Sequence, residues 1–533
     1  MLRHNQSRNH RQPRADWVRP LQTLARNQAL QAARVYTLTY APESVFNSGA
    51  EPSNLVVGGH QPELFHPGVW FKNILLSKIA QSTSSNSLHV IIDHDLARSD
   101  AIRVPAQSKS TMDSYEHGIG YAKGELYQKS ISLPIRSDSG NRLPWHLTLT
   151  DGTDLGRWRE AVEQIADALA SCGVFGSIAQ ERFPLLSECI SKCKNLSDAF
   201  SQFRHRIEIE HGVSNLEVPI GSICDASAFG RFVHHCVADA DSLWSIYNRC
   251  RSEYRHRHSI RNQAQPVPEL LQEDGMLELP FWIYKRDVAS FTDRKRLWLF
   301  VDSSQSPDEY QLVDHPDPAQ RTILMSLPKD PKQVDLAWSR WVDEGVCIRP
   351  RALMTTLFLR CFVADLFVHG IGGGAYDELT DAIILAWLGM EPPEYITCSA
   401  SLHLGTSASG DAEIENIQRA HRELQLMRSV PERFLDKTRS DQKQLFDEHA
   451  QLLSHIPERG KKRVWHAAII RAKAQIEFAI VEQRHNAIAQ LQSLYRTQHR
   501  NKIRNSREFS FCLFREADIL PRLIQLADQA MDV

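Results

Sequence analysis

The segment Leu55 to Asp100 limits the fold more than any other stretch of this chain. Leu55, Val56 and Val57 form a short apolar run that stops at Gly58 and Gly59, the pattern of a strand buried on both faces. His60, Gln61, Pro62 and Glu63 read as loop. Pro67 suits the first position of a helix, and Val69, Phe71, Ile74, Leu75 and Ile79 recur at about helical spacing. A polar break from Gln81 to Ser87 leads to a second apolar run, Val90 to Ile92, which ends on Asp93, His94 and Asp95. The order is strand, helix, strand, with titratable groups where each strand releases the chain. Ligands of open parallel sheets bind beyond the carboxyl ends of the strands, so this unit is expected to floor a binding or active site.

A chain of 533 residues holds two or three domains. The balance of 62 Lys and Arg against 64 Asp and Glu gives no polyanion-binding signature, so nucleic acid is not expected as a partner. No apolar segment approaches the roughly 20 residues that span a bilayer, and no membrane association is expected. Residues 1–16 are basic without the apolar core of a signal peptide and read as a disordered tail. The ten cysteines are dispersed and contain no CxxC pair, which suits small buried thiols in a reducing cytoplasm.

Residues 17–410 read as one α/β core with inserted connecting segments. Val18 to Val35 is helical in pattern, and Val35 to Thr39 suits an entering strand. Further helices are expected over Trp158 to Leu169, Leu196 to Ile209, Phe229 to Tyr254 and Val334 to Val342. Val218 to Cys224 suits a sheet strand, and Leu277 to Tyr284 with Arg296 to Val301 alternates as a hairpin would. Cys347 to Pro393 carries the second dense signal: a helix from about Ala352, a strand ADLFVHG, four glycines within five residues, and a helix starting near Tyr376. From Asp411 to Asn505 glycine nearly vanishes, and apolar stripes predict two long helices separated near Pro457 and Gly460. These would form an antiparallel coiled-coil hairpin, its stripe serving either an intrachain pair or a dimer seam. Residues 506–533, with the apolar Phe509 to Phe514, return the chain to the main body.

His60 and His66 sit on a loop entering a helix, where imidazoles can stabilise charge on a reacting group, with Gln61 as a polar neighbour. The bland alternatives are a loop histidine bonded to backbone and a helix cap. Strand alternation would put Asp93 and Asp95 on one face with His94 turned away, whereas a turn there would bring all three together. Such carboxylates can hold an amine or act as a base; the alternative is a helix cap plus a salt bridge. One Asp-His-Asp cluster falls short of a metal site, and no metal is expected. Gly370, Gly372, Gly373 and Gly374 ahead of a helix could cradle a phosphate or carboxylate. Tyr376, Asp377 and Asp381 add polar groups at the helix start, and Arg351 is available to pair an anion.

These residues resemble the cysteine-adding enzyme family of bacillithiol biosynthesis (BshC). Gly59, His60, Gln61, Leu64 and Phe65 match its T-G-Q-Q-x-x-L-F segment. Asp93, His94 and Asp95 match its acidic strand end, and Gly370, Gly372 and Tyr376 fit its G-P-G-E-x-x-Y segment. The matches are short but run in order over most of the chain, and a helical coiled coil closes both. The resemblance implies a Rossmann-like parallel-sheet core, a C-terminal α-helical coiled-coil arm that dimerises, and a site joining cysteine to an aminosugar-malate acceptor. Departures fall at the site itself: His60 replaces a Gln, Pro67-Gly68 inverts a Gly-Pro, Gly373 replaces a Glu, and Asp377 has no counterpart.

The expectation is therefore a cytoplasmic, homodimeric ligase- or transferase-like enzyme that joins an amine- or thiol-bearing small molecule to a small polar acceptor. His60, His66, Asp93 and Asp95 would be catalytic. Gln61, His94, Arg351, Gly370, Gly372, Gly373, Gly374, Tyr376, Asp377 and Asp381 would bind substrate. The cofactor is left open, a nucleotide included. The alternative is a non-catalytic Rossmann-like ligand-binding or scaffold protein whose coiled coil recruits a partner.

Overall fold

The buried apolar runs line up as one parallel sheet. The computed structural model describes residues 1–2, 4–5, 16–43, 54–97, 101–108, 125–135, 142–150, 155–262, 267–287, 291, 293–301, 307–404 and 411–532. Its strands are Leu55–His60 (β1), Asn86–Ile91 (β2), Ala101–Gln107 (β3), Leu126–Ser132 (β4), Leu216–Pro219 (β5), Gln272–Glu273 (β6), Met276–Lys285 (β7), Lys295–Phe300 (β8), Glu309–Val313 (β9), Leu324–Pro328 (β10), Val346–Pro350 (β11), Leu366–His369 (β12) and Tyr395–Thr397 (β13). Five form a parallel sheet in the order β13-β12-β1-β2-β5. The fold is thus mixed α/β, with β1 at the middle of that sheet.

Contacts divide the chain into two compact units. One comprises Met1–Val104, Ser130–Leu402 and Arg507–Val533; the other comprises Pro105–Lys129 and His403–Ser506. Residues 6–15, most of the expected N-terminal tail, lie outside the described residues. Asn5 is buried, and its side-chain amide donates to the carbonyls of Asp365 and Glu394.

In the first unit β1 runs further than the sequence suggested. Gly58 and Gly59 continue the strand, pairing with His89 and Val90, so His60 is its last residue and not a loop residue. Glycine is required at position 59, since a Cβ there would stand 2.7 Å from the Val90 carbonyl oxygen. The following helix Pro67–Ser82 is almost wholly buried, from Trp70 and Phe71 to Ile79. Helix Glu516–Met531 packs along it, and Phe511 stacks near Trp70 at 4.5 Å between ring centroids. Phe509 to Phe514, read as a strand, holds a 3-10 turn at Phe511–Leu513, with the Ser510 hydroxyl accepting from Cys512 N–H.

Other boundaries shift for local reasons. The helix Val18–Thr37 absorbs the expected strand at Val35 to Thr39. Pro219 ends β5, and helix Ile220–Asp225 takes the place of a strand continuing to Cys224. Asp239 leaves helical geometry and divides the expected helix Phe229 to Tyr254 into Ser227–Ala238 and Ala240–Arg257. The predicted hairpin is part of a larger six-stranded sheet, β10-β9-β8-β7-β11 with β6 on β7.

The second unit is mainly four helices where two were expected: Asp411–Ser429, Ser440–Ser454, Lys462–Ala479 and Val481–Arg504. They pair in a nested way, the first with the fourth and the second with the third. Pro431 interrupts the outgoing arm because it lacks an amide proton, and a 3-10 turn follows at Pro431–Phe434. The reversal uses Gly460 at φ +107°, a conformation open to glycine. Met427, Leu435, Ile476, Ile480 and Ala487 form this unit's own core.

Candidate active site

Beyond the carboxyl ends of β1, β2 and β12, within the first unit, lies a cavity of about 450 Å³. Its wall brings together His60, Gln61 and His66 from the first dense stretch, His94 and Asp95 after β2, and Gly370, Gly372, Gly373 and Tyr376 after β12. Segments some three hundred positions apart therefore share one space. Two helices, Pro67–Ser82 and Ile371–Ile383, start at this wall. The first amide protons of Ile371–Ile383 have no intrahelical acceptor and favour an anion in front of them, whereas at Pro67–Ser82 proline has no amide proton and His66 takes those of Gly68 and Val69.

Each predicted side chain on this wall has a defined state. His60 donates from Nδ1 to the Gln61 carbonyl at 3.1 Å. Burial, with Lys72 nearby, lowers its imidazole to about 3, so the ring is neutral at ordinary pH. It then offers the cavity a lone pair on Nε2 and cannot stabilise developing negative charge, which corrects the role expected of it. His66 caps the helix Pro67–Ser82, its Nδ1 accepting from Gly68 N–H at 3.1 Å, which leaves Nε2–H as a donor. Gln61 donates to Asp95 Oδ2 at 2.9 Å, and Arg294 donates to Asp95 Oδ1 at 3.1 Å. Burial pushes the Asp95 carboxyl up, but His94, Arg294 and Gln61 outweigh it and hold the group below the usual carboxylate range. His94 is buried and lowered to about 4 by that burial, and its Nδ1 has no hydrogen-bond partner.

Other predicted residues turn elsewhere. The chain bends after Ile91, so strand alternation ends and Asp93 points away from Asp95. Asp93 is buried and accepts from Gly221 N–H at 3.1 Å at the start of helix Ile220–Asp225. Burial, opposed by Arg349, raises its carboxyl to about 6. Arg351 pairs with Glu278 at 2.5 Å and stacks over Trp282, so it is committed inside the protein and not held out for substrate. The glycines are not a loop: Gly370 is the N-cap, and Gly372, Gly373 and Gly374 form the first turn of a helix that starts at Ile371, five residues before Tyr376. Gly374 packs against Thr397, where a Cβ would clash with the Thr397 hydroxyl. Asp377 is buried and accepts from Arg360 Nη1 at 2.9 Å and Thr380 Oγ1 at 3.0 Å. Asp381 pairs with Arg360 Nη2 at 2.7 Å.

The sequence reading missed two groups on the wall. Lys72 lies in the buried helix and donates from Nζ to the Gly59 carbonyl. Burial lowers its ammonium to about 8, and its charge acts on His60. His369 ends β12, and its Nε2 meets Asp377 Oδ2 at 2.5 Å. Both stand in stretches already singled out, Lys72 among apolar helix residues and His369 just ahead of the glycines. A lysine on an otherwise apolar helix was the signal available for the first.

A second cavity of about 590 Å³ adjoins Arg294, Lys295, Arg296 and Trp298, and Trp282 lines both cavities. Among the described residues, His205, Glu208 and Glu217 have ligand atoms within 4.8 Å of one another, as a metal site requires. The Arg204 guanidinium already bridges the two carboxylates, 2.6 Å from Glu208 and bonded to Glu217. All ten cysteines are free thiols. No described helix is long and apolar enough to cross a membrane.

Fold and site together define a class: a mixed α/β protein with a cavity, walled by imidazoles and two helix starts, at the carboxyl ends of a parallel sheet. No family model matches the chain, and no curated protein matches it.

Proposed function

We propose that the chain is a ligase- or transferase-like enzyme that joins an amine- or thiol-bearing small molecule to a small polar acceptor, as in low-molecular-weight thiol biosynthesis. The observation that carries this reading is the convergence of Gln61, His66, His94 and Asp95 with the helix start at Gly370–Gly373 around one cavity. An anionic part of one substrate would face the helix start at Ile371 and Lys72. Asp95, held ionised by its neighbours, would orient an amine. The adjoining cavity beyond Trp282 gives a second reactant room beside the first. In this reading the parallel sheet is a Rossmann-like core and the helical unit a coiled-coil arm that pairs two copies in the cytoplasm. The resemblance to the cysteine-adding family rests on its short motifs.

Thermal-shift screening of the full chain against amino acids, thiols, amines and nucleotides tests the reading. An amine or thiol ligand is expected to raise the melting temperature of wild type and to lose at least tenfold in affinity in Asp95→Asn. A ligand that stabilises both chains equally removes Asp95 from the site. Sedimentation of the purified protein tests the pairing of copies.

A further inference from the structure

Four imidazoles line the cavity, those of His60, His66, His94 and His369, and their surroundings separate them. The first spends its Nδ1 proton on a carbonyl, the second spends its Nδ1 lone pair on a helix cap, and the third has an orphaned buried Nδ1. Among these four imidazoles of the described wall, His369 alone is hydrogen-bonded to a carboxylate, Asp377.

Resting on the reading above, we infer that His369 is the proton acceptor of the reaction and that Asp377 is the residue that positions it. Asp377 is buried, and Arg360 and Thr380 fix both its oxygens. Burial pushes its carboxyl up, but His369 and Arg360 outweigh that and keep it ionised. An ionised carboxylate on Nε2 selects the tautomer with its proton on Nε2. The lone pair is then on Nδ1, the logic of a base oriented by a third group. Nδ1 lies against Gly373, where a Cβ would stand 2.7 Å from it, so glycine leaves that nitrogen open. The motif that this stretch resembles has a glutamate where Gly373 stands and nothing where Asp377 stands.

The step balances as a substitution at an acceptor carbon that bears an oxygen leaving group. The nitrogen or sulfur of the nucleophile bonds to that carbon while its proton passes to His369 Nδ1. The carbon–oxygen bond breaks, its electron pair leaves with the oxygen, and the imidazolium returns the proton to that oxygen. Asp377 offsets the imidazolium while it exists.

Nitrogen-15 correlation spectra of the imidazoles in the full chain, assigned with His369→Gln, test the inference without any ligand. His369 is expected as the Nε2–H tautomer in wild type and to lose that preference in Asp377→Asn, with Asp377→Glu retaining it. With the amine or thiol pair found by screening, His369→Gln and Asp377→Asn are expected to lose about 10²–10⁴-fold in kcat at little change in KM. An Nδ1–H tautomer in wild type alongside normal ligand binding overturns the proton-acceptor role alone. The Nε2–H tautomer with no stabilising amine or thiol overturns the reaction, and the role with it.

Discussion

Asp93 and Asp95, two positions apart on one turn, are shifted in opposite directions by their neighbours. Asp93 faces burial with the partial relief of Arg349, and its carboxyl rises to about 6. Asp95 has Arg294 and Gln61 on its two oxygens and falls below the usual range. The folded protein holds the Asp93 proton to higher pH than the unfolded chain does. Between about pH 4 and 6 the native state therefore binds more protons, and stability declines as pH rises through that window, by on the order of 3 kcal/mol from this group. Asp93→Asn is expected to remove that decline, as urea unfolding at pH 4.5 and 7 would read. Equal slopes in variant and wild type would exclude Asp93 as its source.

At the scale of elements, glycine decides how strands and helices meet. A methyl at Gly59 would press on the Val90 carbonyl, and backbone cannot swing aside as a side-chain tip can. Gly59→Ala is therefore expected to cost about 1–3 kcal/mol, measured by chemical denaturation; a change under half that would mean β1 and β2 can part without strain. The same scale explains what could be read from the chain. Leu55, Val56, Val57 and the Val90 run announce their strands because burial on both faces leaves an unbroken apolar run. The first wall residues were legible because they stand where those strands end. Asp377 was legible as a polar residue but not as the partner of His369. That pairing depends on the helix starting at Ile371, since helical side chains tilt toward the N-terminus and carry a carboxylate one and a half turns in back to the strand end. Glycines at 372–374, poor helix formers, argued for a later start. Arg351 and Asp93 were legible as charged residues, but their partners Glu278 and Gly221 lie 73 and 128 positions away, beyond any local pattern.

At the scale of the whole chain, the helix Glu516–Met531 covers the helix Pro67–Ser82, which starts at the cavity wall. Ile519, Leu520 and Leu523 of Glu516–Met531 are buried, as are Phe511 and Leu513 before it. Each large apolar side chain contributes roughly 1.5–3 kcal/mol. Arg182 grips Glu516 through two bonds of 2.6 Å and adds a positional constraint. Ending the chain at Ser506 is expected to lower the melting temperature by about 10 °C or more and to increase binding of an apolar dye, because the helix Pro67–Ser82 loses its cover. A truncated chain that melts with wild type would show that the cover contributes nothing to that helix.

Gln61 and Arg507 line the same cavity although hundreds of residues separate them in sequence. A ribosome must therefore translate hundreds of further codons after the first wall residues before the pocket has its full wall. The early βαβ segment must wait, with its apolar helix uncovered, for residues made several hundred peptide bonds later. A product terminated before Arg507 would therefore lack the finished pocket.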